Sequence, residues 1–212
     1  MFDLIVFIKA IGYLGIGAVI FTESGLLIGF FLPGDSLLFT AGLLASQGYF
    51  NIVILVTITF VAAVLGDSVG YMIGNKAGPK IFNKKESLWF HPDQVTKAQI
   101  FFEKHGAQTI ILARFLPIVR TFVPVIAGVG KMNYRIFLIN NIIGALLWAV
   151  GVTLAGFYLG KVVPNIDRYL IPIVLLIIVL SLLPSIFHVL KDKDQRERLV
   201  NTLKRIKDRV FG

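Results

Sequence analysis

Arg114 and Arg120 stand six residues apart in ILARFLPIVRTFVPVIAG, residues 111–128, a stretch that is otherwise almost wholly apolar. A guanidinium stays charged under all relevant conditions. Its planar fork of donors suits phosphate or carboxylate, so anion binding is the chemistry these two residues could do. Three carboxylates sit in comparably apolar surroundings: Glu23, Asp35 and Asp67. Set against two arginines, three acids leave one carboxyl free to hold a proton reversibly, as proton coupling requires. The plainer alternatives are ion pairs that only neutralise one another, and helix N-capping by Glu23 or Asp35. Asp67, within GDSVGY, also fits a helix-packing element. The sequence has no cysteine, and His91, His105 and His188 lie outside the apolar runs or at their ends. No nucleophile–base set, metal-ligand cluster or phosphate-binding glycine loop is legible. The expectation is a non-enzyme with no metal and no cofactor.

The elements around these residues belong to a membrane. Of the 212 residues, 56% are hydrophobic and only 16% charged, against about 25% charged in soluble domains. Residues 36–66, 136–160 and 169–190 carry no charge. Apolar runs of about 20 residues read as spanning helices, which predicts an all-α polytopic membrane protein. The net charge of +9 lies mostly in hydrophilic segments beside apolar runs. The positive-inside bias and anionic lipid account for it, without a nucleic-acid partner. A homo-oligomer is left open.

Full spans are expected at 4–22, 51–74, 134–160 and about 168–190, four in all. Between them lie two shorter motifs. Residues 24–33 would rise only ~15 Å as a helix, about half of a ~30 Å hydrocarbon core. Pro33-Gly34-Asp35 is a turn signal, and 36–44 returns. A second motif, 107–129, is broken at Pro117 and Pro124. Both read as re-entrant helical hairpins, 24–44 and 107–129, shaped by Pro33, Gly34, Pro117 and Pro124. Irregular backbone at such depth needs cover from protein or a wet cavity. Residues 92–106 suggest a short surface helix with Gly106 as its cap. The basic segment 191–212 suggests an amphipathic cytoplasmic tail after a single transmembrane domain, 1–190. Gly66, Gly70 and Gly74 suit close helix packing. Asn140 and Asn141 read as interhelical glue, and Trp148 as a core residue.

With the tail inside, 16 basic residues fall inside and two outside, and the first span as drawn puts the N-terminus inside as well. A shift of 86 residues brings Ala41-Gly42 onto Ala127-Gly128, and Gly70, Tyr71 and Gly74 onto Gly156, Phe157 and Gly160. The halves would lie in opposite orientations. That makes an inverted repeat, a plan common among secondary transporters.

The motifs FLPGDSLLFTAG (31–42), GDSVGYMIG (66–74), HPDQVTKAQIFFEKHG (91–106) and RFLPIVRTFVPVIAG (114–128), with Glu23-Ser24, resemble those of the DedA family. This is a family of bacterial inner-membrane proteins within the wider VTT (SNARE-associated) superfamily, and the resemblance covers about residues 10–165. It implies re-entrant hairpins and movement of lipids across the bilayer. The expected activity is a proton-coupled flippase returning an anionic polyprenyl phosphate, such as undecaprenyl phosphate, to the cytoplasmic face. The family's essential acids match Glu23 and Asp35, and its essential arginines match Arg114 and Arg120. On this reading Arg114 and Arg120 bind the phosphate, while Glu23, Asp35 and Asp67 handle the proton. The rivals are an uncoupled phospholipid scramblase, as in eukaryotic relatives of the superfamily, and a non-transporting membrane organiser.

Overall fold

The computed structural model describes residues 4–26, 34–81, 100, 102, 104 and 106–162. Pro33, the span expected at 168–190 and the tail at 191–212 lie outside them. The regular elements among these residues are all helices. They are α1 (Leu4–Gly25), α2 (Gly34–Ser46), α3 (Ile52–Ile81), α4 (Thr109–Ala113), α5 (Pro117–Val129) and α6 (Tyr134–Val162). Three stretches are long and apolar enough to cross a membrane: Leu4–Gly25, Ile52–Lys76 and Tyr134–Val162. By contrast, α2 and α5 have 13 residues each. At 1.5 Å per residue they reach about 20 Å, well short of a ~30 Å core.

Helix boundaries follow local chemistry. The Asn51 side chain accepts the Val53 and Ile54 N–H groups at 2.9 and 3.3 Å and so starts α3. Asn133 accepts the Arg135 N–H at 2.9 Å and starts α6. Such caps satisfy donors that have no carbonyl inside the helix. Gly106 has φ +71, and its N–H bonds to the Phe102 carbonyl at 2.8 Å, which gives it the capping role expected. Pro117 takes the start of α5, where its missing N–H costs nothing. The break before it falls at Arg114–Leu116, with Leu116 extended. The break expected at Pro124 is absent, because Pro124 lies inside a continuous α5. A Cβ on Gly70 would come within 3.3 Å of its ring, so α3 covers it. Such cover is what lets proline stand within a helix in apolar surroundings.

The direction of α1 departs from expectation. Lys9 lies over the Tyr49 ring at 3.6 Å, and the Tyr13 hydroxyl accepts the Asn51 N–H at 2.6 Å. Further along, Gly17 faces Ile58, and Gly25 lies against the Gly66 backbone. Thus α1 runs parallel to α3, and its end reaches only the Gly66 level of that helix. An α1 entering from the Lys76 end of α3 would have to run antiparallel. The expected placing of the N-terminus on the side of the lysine-rich segment is therefore corrected. The start of α1 shares an end of the bundle with the α2–α3 turn. Apolar periodicity cannot set the direction of a helix; here small residues on α1 decide it by fitting α3 closely.

Two helix pairs therefore enter from opposite ends. The pair α1/α2 opens beside Tyr49 and Asn51. The pair α4/α5 opens beside Met132, whose carbonyl accepts the Tyr71 hydroxyl. Each short helix packs chiefly on the other half's long helix, α2 on α6 and α5 on α3. The two crossings match. A Cβ on Gly42 would strike the Thr153 carbonyl, and one on Gly156 the Phe39 carbonyl. Likewise, a Cβ on Gly128 would strike the Tyr71 carbonyl, and one on Gly74 the Val125 carbonyl. The spacing of 86 holds for the short helices, Phe39 with Val125 and Gly42 with Gly128. The long helices correspond at 82 instead: Asn51 with Asn133, Tyr71 with Thr153, Gly74 with Gly156. The reason is that α2 continues to Ser46, about one turn further past Gly42 than α5 runs past Gly128.

Polarity is distributed inside out. Glu23, Asp67, Arg114 and Arg120 are buried, while Leu14, Val53 and Leu112 are 86%, 70% and 67% exposed. An outer surface of large apolar side chains around buried charges is what lipid solvent favours.

Candidate functional site

The inner ends of the two helix pairs meet at one charged cluster. Glu23 lies near the end of α1 and Asp35 in the first turn of α2, while Arg114 and Arg120 flank the α4–α5 break. Arg120 Nη1 donates to Asp35 Oδ1 at 2.7 Å, and its Nη2 donates to Glu23 Oε1. One guanidinium therefore joins two carboxylates 97 and 85 residues away in sequence. The Glu23 side chain is 1% exposed, Arg120 8% and Asp35 20%. Gly34 makes room for this arrangement, since a Cβ there would overlap the Glu23 carboxylate.

Arg114 makes a separate set of bonds. Its Nη2 donates to Asp67 Oδ2 at 2.6 Å, to Asn141 Oδ1, and to the Ala63 carbonyl at 3.3 Å. Asn141 in turn donates to the Val64 carbonyl at 3.0 Å, tying α6 to α3. Gly144 leaves space for the Arg114 side chain, within 2.8 Å of where a Cβ would stand. Arg114 and Asp67 are each 4% exposed.

Trp148 joins the two sets. Its indole Nε1–H donates to Asp35 Oδ1 at 2.6 Å, the same oxygen that receives Arg120. Its ring lies 4.7 Å from the Arg120 guanidinium carbon and 5.8 Å from that of Arg114, within cation–π range. The structure thus brings together all five charged residues expected at the site. It also adds Trp148, Asn141 and Gly144. An Asn and a Trp within an apolar span were visible signals. Their spacing of seven would suit one face of a regular helix, but only the fold, with its π-helical turn at Leu146–Val150, shows that both meet the arginines.

Fully ionised, the cluster carries three negative and two positive charges. Each arginine also has a buried Nε–H without a hydrogen-bond partner. Buried donors of this kind are costly to leave empty. The cluster can therefore do two things chemically: offer guanidinium donors to an anion, and exchange a proton on its surplus carboxyl.

Comparison with known proteins places the chain. The VTT domain family model matches residues 32–158. Protein DedA of Escherichia coli (strain K12) is 45% identical over 177 residues, covering 82% of this chain and 80% of DedA. A membrane protein of Mycobacterium leprae (strain TN) is 51% identical over 168 residues, 79% of this chain and 75% of its own length. Inner membrane protein YqjA of Escherichia coli (strain K12) is 35% identical over 176 residues, 78% of this chain and 79% of YqjA. No solved structure matches significantly. The chain belongs to the DedA family of VTT-domain membrane proteins.

Proposed function

We propose that this DedA-family chain is a proton-coupled flippase for an anionic polyprenyl phosphate, such as undecaprenyl phosphate, in a bacterial inner membrane. The observation that carries the reading is Arg120 held between Glu23 and Asp35, with one carboxylate more than the arginines can neutralise. A phosphate has the charge and geometry to replace those carboxylates on the guanidinium fork. Protonation of Glu23 or Asp35 releases donors on Arg120 for the phosphate, and deprotonation competes it away. The unpartnered Nε–H groups of Arg114 and Arg120 point to the same ligand class. The polyprenyl tail stays in lipid. Asp67, paired with Arg114, sets the charge balance of the site and is the third carboxyl through which a proton can be held.

In this proposal the part of α1 after its kink at Gly12 pairs with α2, and α4 with α5, as re-entrant hairpins of an inverted repeat, one opening outward and the other inward. The expectation that residues 76–104 and the tail 191–212 are cytoplasmic, with a further span at 168–190, is kept in this proposal. The start of α1 is then on the outer face. That arrangement keeps 16 basic residues inside against three outside, namely Lys9, Lys161 and Arg168, and so satisfies the positive-inside bias. The chain has no cysteine, so single introduced cysteines report topology cleanly. An impermeant thiol reagent is expected to label Leu4→Cys and Gln47→Cys from outside, and Lys104→Cys only after the membrane is opened. Labelling of Leu4→Cys from inside alone would overturn the α1 placement.

The functional test is uptake of a polyprenyl phosphate by proteoliposomes with and without an imposed pH gradient. Gradient-driven uptake that Glu23→Gln and Arg120→Ala both abolish is the expected result. Movement of any lipid without a gradient would make the protein an uncoupled scramblase. No movement by folded protein would leave it a membrane organiser.

A further inference from the structure

We propose that Trp148 is a positioning residue that keeps Asp35 and Arg120 satisfied while they are apart, and so sets how readily an anion reaches Arg120. The inference rests on the anion-site reading above. It starts from the two ends of one side chain. The indole N–H is bonded to Asp35 Oδ1, and the indole face lies against Arg120. Trp148 therefore touches both members of the pair that an incoming anion must separate.

Separation has a cost that the rest of the cluster does not cover. Arg120 leaving for an anion takes a donor away from Asp35 Oδ1. Asp35 is a fifth exposed, and a mostly buried acceptor that loses a donor is destabilised, more so when charged. The charged groups around this pair are Glu23 from α1, Asp67 from α3 and Arg114 from the α4–α5 break, with Asn141 beside Arg114. Glu23 and Asp67 are acceptors when ionised, and Arg114 and Asn141 are already committed to other partners. Trp148 alone among the described side chains is seen donating to Asp35 besides Arg120. Its ring stays available to the guanidinium whichever anion holds the fork, because a cation–π contact uses the face and not the N–H donors.

The backbone supports the assignment independently. Trp148 is the central residue of a π-helical turn, Leu146–Val150, in an otherwise α-helical α6. Turns of this kind are rare and recur at functional sites, where they shift a side chain out of regular register. Trp148 is also 2% exposed, so its indole lies in the packed interior beside the charged cluster.

The test is equilibrium binding of a radiolabelled polyprenyl phosphate to purified protein in detergent, with the uncharged polyprenol as control. Trp148→Phe keeps a ring and loses the N–H. It is expected to bind the phosphate about tenfold more weakly, as for loss of one hydrogen bond to a charged group. In the Asp35→Asn background the stranded carboxylate is gone, so Trp148→Phe is expected to change binding less than twofold. A residue that only fills the core would show the same penalty in both backgrounds, and that result overturns the inference while leaving the anion site standing. No phosphate-dependent binding by the wild-type protein overturns the anion reading and this inference with it. If Trp148→Phe fails to fold, Trp89→Phe leaves Trp148 as the single tryptophan. Its emission is expected to change with the polyprenyl phosphate and not with the polyprenol. An equal response to both lipids overturns the inference.

Discussion

The two arginines come from the same short segment yet live in different surroundings. Arg114 faces one carboxylate, one amide and one backbone carbonyl, all supplied by the long helices α3 and α6. Its partner Asp67 is as deeply buried as it is. Arg120 faces two carboxylates from the inner ends of α1 and α2, one of them a fifth exposed, and an aromatic face. The first arrangement is charge-balanced and spans rigid elements. The second carries surplus negative charge and joins the ends of α1 and α2 to the start of α5. The comparison teaches that a buried guanidinium is a fastener or an exchangeable site according to what its partners are attached to.

The largest effect that can break this contrast is the loss of either arginine. Arg120→Ala is expected to abolish transport with a smaller loss of stability, since Asp35 keeps the Trp148 N–H and part of its surface open and Glu23 can take up a proton. Arg114→Ala is expected to cost fold, because it strands Asp67 in the interior. Breaking one side of a buried pair costs about 3–5 kcal/mol, to be read as lost yield and a lower unfolding temperature. If Arg114→Ala is stable and only inactive, the distinction between the two sites fails.

A sharper version removes both partners at once. Arg114→Leu with Asp67→Leu leaves no uncompensated charge and is expected to recover most of the stability lost by Arg114→Ala, by thermal unfolding in detergent. The matching change at the other site, Arg120→Leu with Glu23→Leu, is expected to stay folded and inactive. Gly34→Ala should act next most strongly. Its Cβ would displace the Glu23 carboxylate from Arg120, so gradient-driven uptake should fall about tenfold or more, together with some loss of stability. The smallest effect is expected at the crossings. Gly128→Ala overpacks the Tyr71 carbonyl and should destabilise by about 1–3 kcal/mol.

Much of this was legible in the sequence, because bilayer thickness and charge cost act on composition directly. Spans at 51–74 and 134–160 correspond to α3 and α6, and the shortness of the segment after Pro117 matches α5. The charged residues stood out because such groups in apolar runs need a reason. What could not be read was pairing. Nothing local says that Arg114 meets Asp67 while Arg120 meets Glu23 and Asp35, since those contacts close over 47 to 97 residues. Asn141 and Trp148 looked like packing residues for the same reason. Pro124 looked like a break because a proline signal is local, whereas its tolerance depends on α3 lying alongside. The direction of α1 was hidden because an apolar run reads the same both ways. The repeat was visible at the glycines of the short helices, but an extra turn in α2 displaced the register of the long ones.

Each crossing between a short helix and a long one is made by glycine against a carbonyl, with no side chain from either glycine position standing between the backbones. Most helix pairs interlock like gears, and turning one requires rotamers on the other to be unseated. These two are closer to plain bearings. At the glycine positions backbone meets backbone directly, so the helices approach as closely as small residues allow. The same bearing occurs twice, at opposite ends of the bundle, with the charged cluster between them. The ion pairs of the cluster are what tie the two helix pairs to each other between these crossings.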